Sequence, residues 1–305
     1  MKAGKAKRPD VLYLSSFFNI RFSILPQILH ALGFFGKAGA VVAPRGEFGP
    51  GALGIKPARK RIFIFVYRRL RLHRRVIWHA SSVREANDIY RALGTEATVL
   101  VRENDTALPV QSLPAPIQSS RDGRLRAVFI GRISVVKGLL DLIQSFASVA
   151  TPFEFNIYGP EEDSEYAAKC RHAAERLPNH ITVTFHGAIE NLNVRQRLAQ
   201  YDVMLFPTKG ENFGHVIAEA LSVSCPVVCA DVTPWTSVLE SGGGLVVRTD
   251  SSQEWTQAVE SYAAMTPSER VTARVRAGQA FDDWRQRSPD RHIFEMVLEL
   301  QNAKF

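Results

Sequence analysis

One stretch limits the fold class. Residues 205–231, with the apolar run Val203 to Phe206 leading in, read as strand, glycine-punctuated loop, helix and strand. Pro207 and Gly210 break the run; after Gly214, Val216, Ile217, Ala220 and Leu221 recur at helical spacing until Pro226 stops the helix. That order places a helix N-terminus, with its free amides and partial positive charge, just past the carboxyl end of a buried strand, where α/β folds hold phosphorylated ligands. Glu211 falls in the loop and Glu219 on the helix. With a helix starting near Gly214, Glu219 lies about 8 Å along the axis, so one extended ligand is within reach of both carboxylates. Carboxylates suit sugar hydroxyls. Spacing alone fits equally a Glu211 that complements the helix dipole and a solvated Glu219.

The same alternation runs through the chain. From Leu125 the apolar runs predict strands over 126–130, 153–158, 181–186, 203–206, 227–230 and 245–247. Helical periods fall over 137–149, 164–177 and 194–200, with a short helix near Ser237, which is the plan of a doubly wound nucleotide-binding domain over 125–290. Residues 1–105 read as a second, smaller α/β unit with a parallel sheet: strands over 11–15, 40–43, 76–80 and 97–101, helices over 27–32, 59–72 and 83–93, the last capped by Ser81 or Ser82. Residues 106–124, with Pro109, Pro114 and Pro116, read as a linker. From Ser252 the tail is helical, broken at Thr266-Pro267 and Ser288-Pro289.

At residues 211–219 the sequence Glu-Asn-Phe-Gly-His-Val-Ile-Ala-Glu resembles the donor-site motif of family 4 of the retaining, nucleotide-sugar-dependent glycosyltransferases (glycosyl transferases group 1). Phe129 to Gly138, with Gly131, Arg132, Lys137 and Gly138, resembles that family's Gly-Arg and Lys-Gly segment. Ile157-Tyr158-Gly159-Pro160, Phe185-His186-Gly187, Thr233-Pro234-Trp235 and Gly242-Gly243-Gly244 follow in the family's order. The resemblance implies a GT-B fold of two Rossmann-like domains and transfer of a sugar from a nucleotide-diphosphate sugar to a glycan or lipid-linked acceptor with retention of configuration. It implies that Arg132 and Lys137 hold the donor diphosphate, that Glu211 binds the transferred sugar and that Glu219 binds the ribose hydroxyls. Gly131, Gly159 and Gly187 would line the nucleotide pocket, and the amides of Asn212, Phe213 and Gly214 would help position the sugar. Phe213 is equally a core residue by type, and His215 fits packing at the helix start better than a base. Ser224 stands where the family often has glycine. No metal cofactor is implied, and Asp141, His186, Asp202 and Asp231 are scattered. The family's C-terminal helices cross back to the first domain, which places 291–305 there.

Pro44 to Phe48 and His79 to Glu85 look like the later half of the family's acceptor-binding domain. The strand and glycine-rich loop that open that domain find no match in residues 1–9. The expectation is an incomplete N-terminal unit, with three alternatives to an active enzyme: a fragment, a split enzyme whose partner chain supplies the missing half, or a non-catalytic subunit that binds nucleotide sugar. A nucleotide-sugar epimerase of the same fold is a second enzymatic reading.

Charge adds a partner class. Residues 1–110 carry 19 Lys and Arg against 7 Asp and Glu, or +12, while the remainder is −4. The cations crowd at Arg59-Lys60-Arg61 and at Arg68, Arg69, Arg71, Arg74 and Arg75, on either side of an apolar block from Ile62 to Tyr67. As a helix this suits an anionic membrane surface or a basic face in solvent with an apolar face in the core. Nucleic acid is not expected, for want of a helix-turn-helix, zinc-finger or RNA-recognition pattern. Cys170, Cys225 and Cys229 form no Cys-x-x-Cys pair, which points to a reducing, cytoplasmic setting, peripheral to the inner face of the membrane where the basic segment meets it. The longest apolar run, six residues, is too short to span a bilayer.

Overall fold

The computed structural model describes residues 9–36, 38–54, 57–115, 123–287 and 291–302. The chain divides into two compact units, Met1–Asp105 with Pro289–Phe305, and Thr106–Ser288.

In the first unit, β1 (Val11–Leu14), β2 (Gly39–Val42), β3 (Ile77–Ala80) and β4 (Thr98–Val101) form a parallel sheet in sequence order. The helices are α1 (Leu25–Ala31), α2 (Pro50–Gly54), α3 (Pro57–Arg69) and α4 (Val83–Leu93), the last with Ser82 accepting from the Glu85 amide. Phe17, Phe48, Tyr67 and Trp78 form an aromatic core, Phe17 lying 5.4 Å from Trp78. A helix over Ile293–Asn302 packs Ile293 and Val297 against Val41 and Ile77. Two glutamates fasten loops: Glu85 accepts from the Gly46 and Ser81 amides at 2.7 Å, and Glu47 from Ser16 Oγ at 2.9 Å and from the Phe17 amide. The helix expected over 59–72 ends at Arg69, because Arg71 takes a left-handed φ of 54° and starts a separate tight turn over Leu72–Arg74. The short α2 lies in a Pro-Gly stretch that hides helical periodicity.

The second unit has β5 (Leu125–Ile130), β6 (Phe153–Tyr158), β7 (Ile181–Phe185), β8 (Val203–Phe206), β9 (Val227–Ala230) and β10 (Gly244–Val247). Their order is β10-β9-β8-β5-β6-β7, all parallel, so the winding reverses between β5 and β8. The helices are α5 (Leu139–Ser145), α6 (Ser164–Glu175), α7 (Asn191–Leu198), α8 (His215–Leu221), α9 (Thr236–Val238), α10 (Ser252–Ala263) and α11 (Pro267–Arg287). Strands flanked by helices on both faces must be apolar on both sides, and β8 and β9 are buried throughout. The helix expected over 137–149 is shorter at both ends. Gly138 is left-handed, φ 67°, at a point where any Cβ would overlap the Pro207 carbonyl, and a tight turn over Phe146–Ser148 closes the other end.

The described part of the expected linker is fastened to this unit. Leu113 donates its amide to Ser222 O at 2.8 Å, Ser112 N donates to Asp282 at 2.6 Å, and Leu108 packs on the core. The rest, 116–122, and the expected break at Ser288-Pro289 lie outside the described residues.

Candidate active site

In a doubly wound sheet, the loops leaving the strands that flank the reversal diverge and leave a crevice. Here those loops follow β5 and β8, and they carry the residues that the motifs single out. The loop after β5 holds Gly131, Arg132 and Lys137; the loop after β8 runs from Pro207 to Gly214. Backbone bonds dock them together, Lys209 N donating to Val136 O at 2.8 Å.

At their junction Lys137 Nζ meets Glu211 Oε2 at 2.6 Å, with both side chains largely withdrawn from solvent. The Lys137 ammonium also lies 5.0 Å over the Phe206 ring, and Glu211 Oε1 accepts from the Asn212 amide at 3.1 Å. A second pair, Lys209 with Asp141 at 2.6 Å, ties the loop after β8 to the first turn of α5 at the surface.

Arg132 takes a different partner. Its guanidinium donates to Glu162 at 2.6 Å, with side chains 60% and 47% exposed. Such a pair contributes about 0–1 kcal/mol, so the guanidinium is readily surrendered to another anion. The Arg132 backbone is fixed by a bridge between Ile133 and Glu161 and by the Ile133 amide donating to Pro160 O at 2.9 Å. The three predicted pocket glycines stand side by side. Gly131 N donates to Tyr158 O at 3.0 Å, Gly159 N donates to Gly187 O at 2.8 Å, and a Cβ on Gly159 would overlap the Gly131 carbonyl. His186 stacks on Tyr158 at 4.4 Å and donates from Nε2 to Asn156 Oδ1 at 2.7 Å.

Gly214, φ 84°, is the left-handed residue before α8. Phe213 is buried among His215, Trp235 and Trp284, and its carbonyl accepts from the Trp235 indole, so only its backbone is placed to meet a ligand. Glu219 stands on α8, apart from the Lys137–Glu211 pair. Its carboxylate has no hydrogen-bond partner among the described residues, and burial pushes its pKa up to about 7, opposed by the Arg195 charge. Arg195 itself donates to Ser222 Oγ, which donates to the Glu219 carbonyl.

The motifs do not single out Glu162, Arg195 or Lys209. The acidic run Glu161-Glu162-Asp163 directly after Gly159-Pro160 is the available signal for Glu162; nothing local marks the other two. Among the described residues no three His, Cys, Asp or Glu side chains converge as metal ligands. The three cysteines are free and buried.

Two α/β units with parallel sheets, the strand order of the second reversing between β5 and β8, define a GT-B-like fold. Residues 124–264 match the family described as Glycosyl transferases group 1. Among curated proteins, the chain is 27% identical over 142 residues to a teichuronic acid biosynthesis glycosyltransferase of Bacillus subtilis, covering 46% of this chain and 33% of that one. It is 27% identical over 153 residues to a GDP-mannose:cellobiosyl-diphosphopolyprenol alpha-mannosyltransferase of Xanthomonas oryzae, covering 48% and 40%. The match thus spans about a third to two fifths of the curated relatives' lengths. Among solved structures, Anabaena HepE with UDP and glucose has a TM-score of 0.72 at 18% identity, over 96% of this chain and 78% of that one. Sucrose-phosphate synthase from Thermosynechococcus elongatus has a TM-score of 0.70 at 14% identity, over 97% and 73%.

Proposed function

We propose that the chain is a retaining glycosyltransferase that moves a sugar from a nucleotide-diphosphate sugar to a glycan or lipid-linked acceptor. The observation that carries this reading is the Lys137–Glu211 pair at the strand-order reversal, a cation and a carboxylate on facing loops, with Arg132 just upstream on one of them. A departing diphosphate calls for the cations and a bound sugar for the carboxylate. The likeness to a GDP-mannose-dependent relative and to a structure holding UDP and glucose supports a nucleotide-sugar donor. The polyprenol-linked and teichuronic acid relatives support the acceptor class.

On this reading Arg132 leaves its exposed pair with Glu162 for a forked grip on phosphate oxygens. Lys137 turns from Glu211 to the oxygen that departs with the nucleoside diphosphate, where negative charge grows as the bond to the anomeric carbon breaks. Glu211, freed, accepts hydrogen bonds from the sugar hydroxyls, and Glu219 from the ribose. The acceptor oxygen bonds to the anomeric carbon on the face the phosphate leaves, and its proton passes to the departing phosphate oxygen. This route uses no protein nucleophile. A paired-carboxylate hydrolase fits less well, since it needs two carboxyls flanking one bond, and here the central carboxylate is engaged by a lysine. With Arg132 and Lys137 supplying the positive charge, the reaction needs no metal.

The test is incubation with UDP-, GDP- and ADP-sugars. Release of the nucleoside diphosphate is expected for one base only, unchanged by EDTA and lowered about 10²- to 10³-fold by Lys137→Ala. The anomeric proton coupling of the product is expected to match the donor's. An inverted product would remove retention, and release indifferent to Lys137→Ala would remove the site.

A further inference from the structure

The first unit carries a cavity that the donor reading does not use. It measures about 700 Å³ and is lined by Arg61, Arg68, Arg69, Arg71 and Arg74, with Ile64 and Phe65 among its apolar walls. Glu96 is the carboxylate among its lining residues, and among the described residues it pairs with Arg74 alone of these arginines. The other four guanidiniums are exposed and meet no carboxylate among the described residues. His73 also lines the cavity; it is 3% exposed, and its Nδ1 is buried with no partner.

The rim is apolar. Phe63 and Tyr67 of α3 pack into the aromatic core, whereas Ile62, Phe65, Val66 and Leu70 lie outside it and are 46–70% exposed. The helix is therefore apolar on two faces, of which the core accounts for one. Alongside, α1 and the residues flanking it expose Phe22, Leu25 and Leu32. The Tyr67 hydroxyl, donating to Gln27 Oε1 at 2.5 Å, and Arg75 Nη1, donating to Ala31 O at 3.1 Å, join this segment to α3 and the turn that follows it. Free phosphate would account for the arginines but not for the apolar rim; a neutral protein partner would account for the rim but not for the arginines.

We infer that this cavity binds the phosphate headgroup of an anionic phospholipid, with Ile62, Phe65, Val66 and Leu70 entering the bilayer interface and seating the first unit on the membrane. The inference rests on the first unit alone and stands whether or not the second unit binds a nucleotide. Interfacial segments of this kind combine apolar insertion with cations that meet anionic lipid.

The experiment is flotation of the whole chain with vesicles of equimolar phosphatidylglycerol and phosphatidylcholine, compared with phosphatidylcholine alone, at about 0.15 M salt. Binding is expected to the anionic vesicles only. With each interfacial cation contributing about fivefold, the triple variant R61Q/R68Q/R69Q is expected to lose about a hundredfold. Phe65→Ser removes no charge and lies on the exposed face, so it tests insertion separately; a loss of about tenfold is expected. Equal binding to neutral vesicles, or unchanged binding by either variant with its Tm retained, overturns the inference. So does binding of inorganic phosphate or glycerol phosphate without vesicle binding, which would mark a site for a free anion, and so does duplex DNA held as tightly as the anionic vesicles.

Discussion

Glu219 is a half-buried carboxyl with no partner among the described residues, and burial raises its pKa to about 7. Ribose hydroxyls donate hydrogen bonds, so the ionised form is the one that binds them, and binding below about pH 7 must expel a proton. Nucleotide affinity is therefore expected to fall with acidity, towards tenfold per pH unit once the free carboxyl is mostly protonated. Titration across about pH 5.5 to 8 checks this, and the dependence is expected to flatten in Glu219→Gln. Stability has the opposite sense. A carboxyl raised from 4.5 to about 7 favours the fold while protonated, so its contribution is complete below about 4.5 and is lost as pH rises through 7. The sequence marks Glu219 by its spacing from Glu211, but its environment comes from α7, whose Arg195 no local pattern connects to it. Phe213 reads both ways in the sequence, its amide toward the donor and its ring as core; the fold buries the ring.

At the scale of elements, the turn joining α8 to β9 shows two effects of similar size. Ser224 is left-handed at φ 56°, a conformation that disfavours any residue with a Cβ by about 1–2 kcal/mol. Its hydroxyl donates to Leu113 O at 2.5 Å, a bond contributing about 0.5–1.5 kcal/mol. Ser224→Gly relieves the first and removes the second, so urea unfolding is expected to move by less than about 1 kcal/mol. Ser224→Val loses the bond and keeps the strain, and is expected to destabilise by about 2 kcal/mol or more. Equal effects of the two variants would refute this account of the turn. The resemblance marks Ser224 as standing where the family often has glycine; the left-handed angle itself comes from the fold. Strand positions are legible too, because a strand covered on both faces must be apolar throughout. Helix ends are less so: Arg71 and Gly138 stop or delay helices through backbone angles, which composition does not encode.

At the scale of the whole molecule, α11 closes the second unit through Arg274, whose buried guanidinium donates to the carbonyls of Tyr201, Ala199 and Val223. An arginine deep in a helix reads as surface in the sequence, and only the ends of α7, α8 and the turn before β8 show why it is inside. Arg274→Ala leaves three carbonyls short of a donor and is expected to destabilise by about 3 kcal/mol, read as a lowered Tm and urea midpoint. The segment 106–115 misleads for a similar reason: its prolines suggest a free linker, whereas Leu113 and Ser112 are held by groups over a hundred residues away. Across the chain the alternation of strands and helices is open to reading, and so is the family of the donor motif, while the pairing of Lys137 with Glu211 emerges only when β5 and β8 become neighbours. The central claim is that this pairing marks a nucleotide-sugar site. It is tested most directly by calorimetric titration of the whole chain with UDP, GDP, ADP and their sugar derivatives. Selective binding of one base, abolished by Arg132→Ala and Glu219→Ala, is the expected result; a folded protein that binds none of them, or binds them equally well in both variants, contradicts the account.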